Sequence, residues 1–301
     1  MNVDRSSLRT VLPHIWSVAG GRELRCDDRP LVMGIVNVTP DSFSDGGRYA
    51  RPEQAVAHAL DLAEQGADIL DIGAESTRPS AQPVGEEEEL SRLLPAVTEL
   101  ARRVTVPISV DTTKSMVARR ALEAGASIIN DVSALRGDPD MAQVIAQQGA
   151  GAVLMHMQGT PRSMQDGPHY EDVMAEVTNF FEDRLQAAER AGIARMNIVL
   201  DPGIGFGKLL VHNLRLLNQL ADLMILNRPL LVGVSRKSFI GHIVDRPVGD
   251  RAWGTAAAVA LAVDRGAKIL RVHDVAAMAD VVKVATAIRS CASFTRQEGY
   301  A

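Results

Sequence analysis

LVMGIVNVTPDSFSDGG, Leu31 to Gly47, is the stretch whose reading decides the fold. The apolar run from Leu31 to Val36 predicts a buried strand, Asn37 ends it, and Thr39-Pro40 open a loop of Asp, Ser and Gly. In α/β folds, a buried strand that delivers polar groups at its carboxyl end is the unit from which sites are built.

Working outward, the same event recurs in ADILDIGA (67–74), TVPISVDT (105–112), SIINDVS (127–133), AVLMHMQ (152–158), NIVLDPG (197–203), PLLVGVS (229–235) and AKILRVH (267–273). Between the strands lie Ala-, Leu- and Glu-rich helical patterns near 52–65, 87–102, 114–124, 139–148, 171–191, 210–222, 251–265 and 274–291. Four of these close on Gly-Ala, at Gly66, Gly125, Gly149 and Gly266, a helix C-terminal signal. Eight strand–helix units predict an α/β fold of the (β/α)8 TIM-barrel type rather than a doubly wound sheet. Upstream, IWSVAGGREL predicts a short β-hairpin turning at Gly20-Gly21, placed to plug the barrel bottom. The expected organisation is an N-terminal extension with the hairpin (1–30), a barrel (31–291) and a C-terminal tail (292–301). Long loops at Glu75–Glu86 and Gly159–Tyr170 follow strands and belong on the active-site face.

Composition sets the outer bounds. The chain has 301 residues, 46% of them hydrophobic and only 4% aromatic, which suits one large aliphatic core. A net charge of −5 with scattered Lys and Arg argues against a nucleic-acid partner. No apolar run is long enough to span a membrane, and the first residues do not read as a signal peptide. Cys26 and Cys291 make no disulfide framework, so a reducing, cytoplasmic setting is expected.

The strand ends carry the chemistry. In order they present Asn37, Asp71, Asp111, Asn130 with Asp131, His156, Asp201, Arg236-Lys237 just past the seventh strand, and Arg271 with His273. In a barrel these ends converge on one mouth. Arg271 and His273 alternate with Val272 and face one way, forming an anion site. His156 reads more readily as a satisfied rim or core histidine. With only His156 and His273 at strand ends and no HExxH, a protein-ligated zinc site is not expected. Mg2+ would fit near Asn37 only if a substrate phosphate completed its shell. Gly203-Ile-Gly-Phe-Gly207-Lys208 matches neither the dinucleotide fingerprint nor a Walker A loop. Carboxylates, one amide and Lys237 together predict a flat, nitrogen-rich, phosphate-bearing ligand such as a pterin or purine.

The segments NVTPDSFSDGG, DIGAESTRP, ISVDTTK, INDVS, MHMQGTP, DPGIGFGK, GVSRKSF and RVHDV resemble, in order, the motifs of the dihydropteroate synthase family, from about residue 15 to 290. The resemblance implies a homodimeric barrel transferase of folate synthesis. It would condense 6-hydroxymethyl-7,8-dihydropterin pyrophosphate with 4-aminobenzoate, and sulfonamides would compete with the latter. By carry-over, Asp111, Asn130, Met155, Asp201 and Lys237 would grip the pterin. Asn37, Arg78, Arg271 and His273 would lie by the pyrophosphate, with Mg2+ at Asn37. Phe43, Thr77, Pro79, Lys237 and Ser238 would contact 4-aminobenzoate, and Asp45 and Arg78 would order loops. Asp111, Lys237, Arg271 and His273 are the expected catalytic set. Ala74, where the family often has Gly, and Leu209-Leu210, where a small polar residue is common, depart from the pattern; the leucine pair is expected to affect packing. Rival readings are a pterin-binding methyltransferase barrel, which has little use for a pyrophosphate site, and a non-catalytic pterin-binding paralogue.

Overall fold

The structure, a computed structural model, describes residues 15–27, 29–38, 52–75 and 84–290. Phe43, Asp45, Thr77, Arg78 and Pro79 lie outside the described residues. A two-stranded antiparallel hairpin, β1 (Ile15–Val18) and β2 (Arg22–Arg25), comes first and turns at Gly20-Gly21 as the sequence predicts. Eight parallel strands follow: β3 (Leu31–Asn37), β4 (Ile69–Gly73), β5 (Ile108–Asp111), β6 (Ile128–Asp131), β7 (Gly151–Met155), β8 (Ile198–Asp201), β9 (Leu231–Gly233) and β10 (Ile269–Val272). Their spatial order is β8-β7-β6-β5-β4-β3-β10-β9. The seam between β8 and β9 is joined by a Leu200–Leu230 bridge, with the Leu200 N–H donating to the Pro229 carbonyl at 3.0 Å. The sheet thus comes round on itself as a (β/α)8 barrel.

Around it stand α1 (Pro52–Glu64), α2 (Glu86–Arg103), α3 (Ser115–Glu123), α4 (Met141–Gln148), α5 (Val173–Arg190), α6 (Leu210–Asn218), α7 (Ser238–Val244), α8 (Ala252–Asp264) and α9 (Val275–Arg289). Eight of these match the predicted helices. The addition is α7, a helix of about two turns inserted after β9. Its sequence, SFIGHIV, holds a mid-helix Gly and three β-branched residues, which weakens the local signal. Burial of Phe239 and Ile240 holds it in place, and the Arg251 guanidinium, packed over Gly241, donates to the Arg236 and Lys237 carbonyls at 3.0 and 3.3 Å. The four Gly-Ala helix ends all place Gly at positive φ, as their position predicts.

The strands split their side chains between two cores. One set packs outward against the helices, for example Val32, Val36, Leu70, Ile72, Val110 and Leu200. The other fills the lower barrel: Met33, Ile69, Ile128, Val153, Val199, Leu231 and Ile269 form one cluster with Trp16, Val18 and Cys26. The hairpin therefore plugs the amino-terminal end of the barrel. Trp16 is fully buried, and its indole N–H donates to the Asn197 carbonyl at 2.8 Å. Gly151 leaves the room this needs: a methyl there would stand 2.8 Å from Val18. Cys26 is buried, and burial pushes its thiol up to about 12, so it stays an unreactive packing residue. No helix among the described residues is long and apolar enough to cross a membrane.

Candidate active site

Above the apolar plug the inward positions turn polar. Strand register places Asn37, Gly73 and Asp111 side by side at the carboxyl rim, with Ile35, Asp71 and Ser109 one layer below. Alternation decides the rest. On β6, Asn130 reaches into the barrel, while its neighbour Asp131 accepts from the Ser133 and Leu135 backbone N–H groups and from the Ser133 hydroxyl. Asp131 is thus a loop-closing residue and not a ligand group.

Arg271, from β10, is the centre of the mouth. Its Nε–H donates to Asp71 Oδ2 at 2.6 Å, and a terminal N–H donates to Asp111 Oδ2 at 3.0 Å. Arg271 is thus paired with two carboxylates, which engage two of the five donors of a guanidinium. Burial works against its charge, but Asp71 and Asp111 outweigh burial and hold the group above its usual range. Asp111 responds in the opposite sense. Burial, less the attraction of Arg271 and more the repulsion of Asp71, Glu89 and Asp131, pushes it up to about 7.

Asp201, at the end of β8, accepts the Gly203 N–H at 2.8 Å and is also raised by burial. Lys237 follows β9. Its ammonium sits 4.0 Å from the Phe206 ring centroid, and burial with the nearby Arg271 charge lowers it to about 8 against the pull of Asp201 and Asp111. Met155 is buried with Val132, Met157 and Met164, and Phe206 packs against that group, giving the mouth one apolar wall. Asn37 and His273 stand half-buried at the rim, and Ser238 is exposed at the start of α7. Burial, with the neighbouring Arg236 and Arg271, lowers His273 to about 4, so at neutral pH its imidazole is a neutral donor rather than a second cation. Ser235 Oγ accepts the His273 backbone N–H at 3.2 Å and lies 3.0 Å from Nδ1.

His156 is a core histidine. It packs edge-on to Phe180 and lies 2.9 Å from the Lys208 ammonium; burial and that charge lower it to about 2. Lys208 itself had no role from sequence. It is buried, donates to the Gly203 and Phe206 carbonyls at 3.0 and 2.9 Å, and is lowered by burial to about 7. It therefore clamps the Gly203–Lys208 turn. Gly203 sits at φ +66 with its α-carbon so near the His156 carbonyl that a methyl would collide, which explains a glycine there. Phe206 is the second residue that motif reading passed over; its signal was an aromatic between glycines at a strand end. Arg236, at φ +57, pairs with Asp274 at 2.5 Å and serves the loop. Leu209 and Leu210 stand about half exposed at the start of α6. Ala74 is fully buried without displacing any of these groups.

Chemically, the mouth offers fixed carboxylates, one amide, an arginine and a lysine beside an apolar wall. Among the described residues, no three His, Cys, Asp or Glu side chains gather as a metal site. Asn37 could lend a hard cation one amide oxygen, and Asp71 and Asp111 are already engaged by Arg271. The residues thus fit Mg2+ only as a partner shared with a phosphate-bearing substrate.

Such a site, polar groups on strand ends over an apolar plug, defines a barrel enzyme for a flat, charged small molecule. The family model for pterin binding enzymes matches residues 33–273. The dihydropteroate synthase of Escherichia coli K12 is 47% identical over 269 residues, covering 89% of this chain and 95% of its own. The Yersinia pestis dihydropteroate synthase solved with a sulfonamide drug complex superposes with a TM-score of 0.86 at 45% identity, covering 90% of this chain and 98% of that one. The Xanthomonas albilineans dihydropteroate synthase solved with 4-aminobenzoic acid gives 0.86 at 49%, covering 93% and 99%. The chain belongs to the pterin-binding enzyme family and, within it, to the dihydropteroate synthases.

Proposed function

We infer that the chain condenses 6-hydroxymethyl-7,8-dihydropterin pyrophosphate with 4-aminobenzoate, giving 7,8-dihydropteroate and pyrophosphate. The observation that carries the reading is Arg271, poised between Asp71 and Asp111 at the mouth with donors to spare. Asp111, Asn130, Asp201 and Lys237 supply the mixed acceptors and donors that a pterin ring presents in complement, and Met155 its apolar wall. Arg271 and the His273 imidazole are assigned to the pyrophosphate, with Arg78 added by resemblance to the family. Lys237 and Ser238 are assigned to the aminobenzoate side; the resemblance to the family adds Phe43, Thr77 and Pro79 as contacts and Asp45 and Arg78 as loop-ordering residues.

The substitution is dissociative. The bond from the methylene carbon to the pyrophosphate oxygen breaks, the electron pair leaves with pyrophosphate, and the pterin ring delocalises the cation. Arg271 stabilises the leaving charge, and ionised Asp111 stabilises the cation. The arylamine nitrogen then attacks the methylene carbon, and the resulting ammonium loses one proton to the released pyrophosphate or to solvent. It is a neutral nucleophile at pH 7, so no Ser or Cys nucleophile is required. A pyrophosphate-bound Mg2+ at Asn37 would supply further neutralisation of the leaving group.

A homodimer is supported by the outer face of α8 and α9, where Leu261, Val284 and Ile288 are 51%, 59% and 73% exposed. Sulfonamide binding in the aminobenzoate subsite and a cytoplasmic setting complete the reading. The test is a steady-state assay with Mg2+ and both substrates, following pyrophosphate release with and without the amine. Amine-dependent release with dihydropteroate formed is the expected result; tight pterin binding without turnover would move the chain to the silent paralogue.

A further inference from the structure

We propose that Asp71 is a positioning residue that fixes the Arg271 guanidinium and the Asn130 amide from one layer below the mouth, without itself touching the substrate. The proposal rests on the function inferred above and deepens it.

Asp71 is fully buried, and both its oxygens are spoken for from inside the barrel. Oδ1 accepts the Ser109 hydroxyl at 2.6 Å; Oδ2 accepts Arg271 Nε–H at 2.6 Å and Asn130 Nδ2–H at 3.2 Å. These contacts come from three different strands, β5, β10 and β6, so one carboxylate ties together groups far apart in sequence. They also set polarity. With its amide nitrogen turned down to Asp71, Asn130 is left to present its carbonyl oxygen upward as an acceptor for a ring N–H. With Nε and one terminal N–H engaged by carboxylates, Arg271 keeps three donors for an anion. The rim layer above Asp71, with Gly73 beside Asp111, lies between it and the mouth. A group one layer down can hold geometry but does not reach the reacting atoms.

An alternative is that Asp71–Arg271 is simply a buried ion pair. Such pairs contribute little net stability, and apolar replacements of similar volume serve as well. The two readings separate through a double-substitution cycle of Asp71→Asn, Arg271→Met and both together. Asp71→Asn is expected to lower kcat/KM for the pterin pyrophosphate by about 10²-fold, the cost of misplacing an oriented group. Its KM for 4-aminobenzoate should stay within about twofold of the parent. In the Arg271→Met background the same change should cost clearly less, no more than about tenfold, because the guanidinium it positions is already gone and only the Asn130 amide remains to be misplaced. A second readout is the acid limb of the pH profile. Asp111 faces Arg271 from β10, Asp71 from β4, Glu89 from α2, Asp131 from β6 and Lys237 beyond β9. Removing the Asp71 charge removes a repulsion on Asp111, so the limb should move toward lower pH; an unmoved limb would show that Asp71 does not act on the groups of the mouth.

An Asp71→Asn enzyme within about threefold of the parent, or losses that multiply in full in the double variant, would overturn the proposal. Should Asp71→Asn alone fail to fold, the double variant removes both charges at once, and its comparison with Arg271→Met alone still decides. Urea midpoints of the same four proteins need no substrate. Coupled midpoints alongside a parent that binds and turns over no pterin would sink the functional reading and keep the pairing; additive midpoints would sink the pairing itself.

Discussion

The two mouths of the barrel are made by the same eight strands and have opposite chemistry. At the amino end, Met33, Ile69, Ile128, Val153, Val199, Leu231 and Ile269 close over Trp16 and Val18 of the hairpin. At the carboxyl end, two residues further along four of those strands, stand Asp71, Asn130, Asp201 and Arg271, with Asp111 on β5 beside them. Trp16 has its one polar atom satisfied, and nothing in that layer is charged. The upper layer holds Asp111 above its usual range and Lys237 and Lys208 below theirs, all three by burial first. The lower end stores stability, and the upper end gives some of it up to hold charges where a ligand will need them.

The comparison breaks most readily at Trp16. Trp16→Ala should destabilise the fold by about 3–5 kcal/mol, read as a urea midpoint, while kcat at a permissive temperature stays near the parent value. A large loss of kcat would mean that the plug also shapes the mouth. Lys237→Ala should do the reverse, lowering kcat/KM for the pterin substrate by about 10²–10³-fold. Because folding disfavours the Lys237 charge, its removal should leave the thermal midpoint equal or higher; a clear fall would contradict the strained-site picture.

Asp111 sharpens the comparison through pH. Its folded value, about 7, lies above the unfolded one. Between the unfolded value near 3.8 and about 7 the folded state holds a proton that the unfolded state has released, so this group's stabilising contribution declines as pH rises through that window. The unfolding free energy of the parent should therefore fall more steeply over pH 4–7 than that of Asp111→Asn, and parallel curves would remove Asp111 from the set of strained groups. The smallest effect belongs to neither mouth. Leu210→Ser, on the outer surface, should change stability by no more than about 0.5 kcal/mol and leave kinetics alone; a larger change in either would show that the exposed pair is built into something.

Much of this was legible before any coordinates. Apolar runs ending in polar residues marked every barrel strand, and Gly20-Gly21 marked the hairpin. The roster at the mouth could be read from strand ends because parallel barrels gather those ends by topology. Less legible were the partners. Arg271 meets Asp71 across 200 residues of chain and Asp111 across 160, and no local pattern encodes such a meeting. Lys208 was visible but unassigned, since its acceptors are carbonyls of a turn whose shape depends on His156 lying beneath it. The short helix α7 was missed because its propensity is poor and packing alone holds it.

Sequence alone determined the alternation of strand and helix, the polar strand ends and the apolar layer beneath them, because these are periodic and local. Tertiary structure decided which neighbour of each polar pair turns inward, as with Asn130 against Asp131, and whether His273 stands as a cation or a neutral donor. It also decided which charges share a partner. Those outcomes depend on register and burial across the closed sheet, where a carboxylate's nearest cation is set by geometry in space rather than by position along the chain.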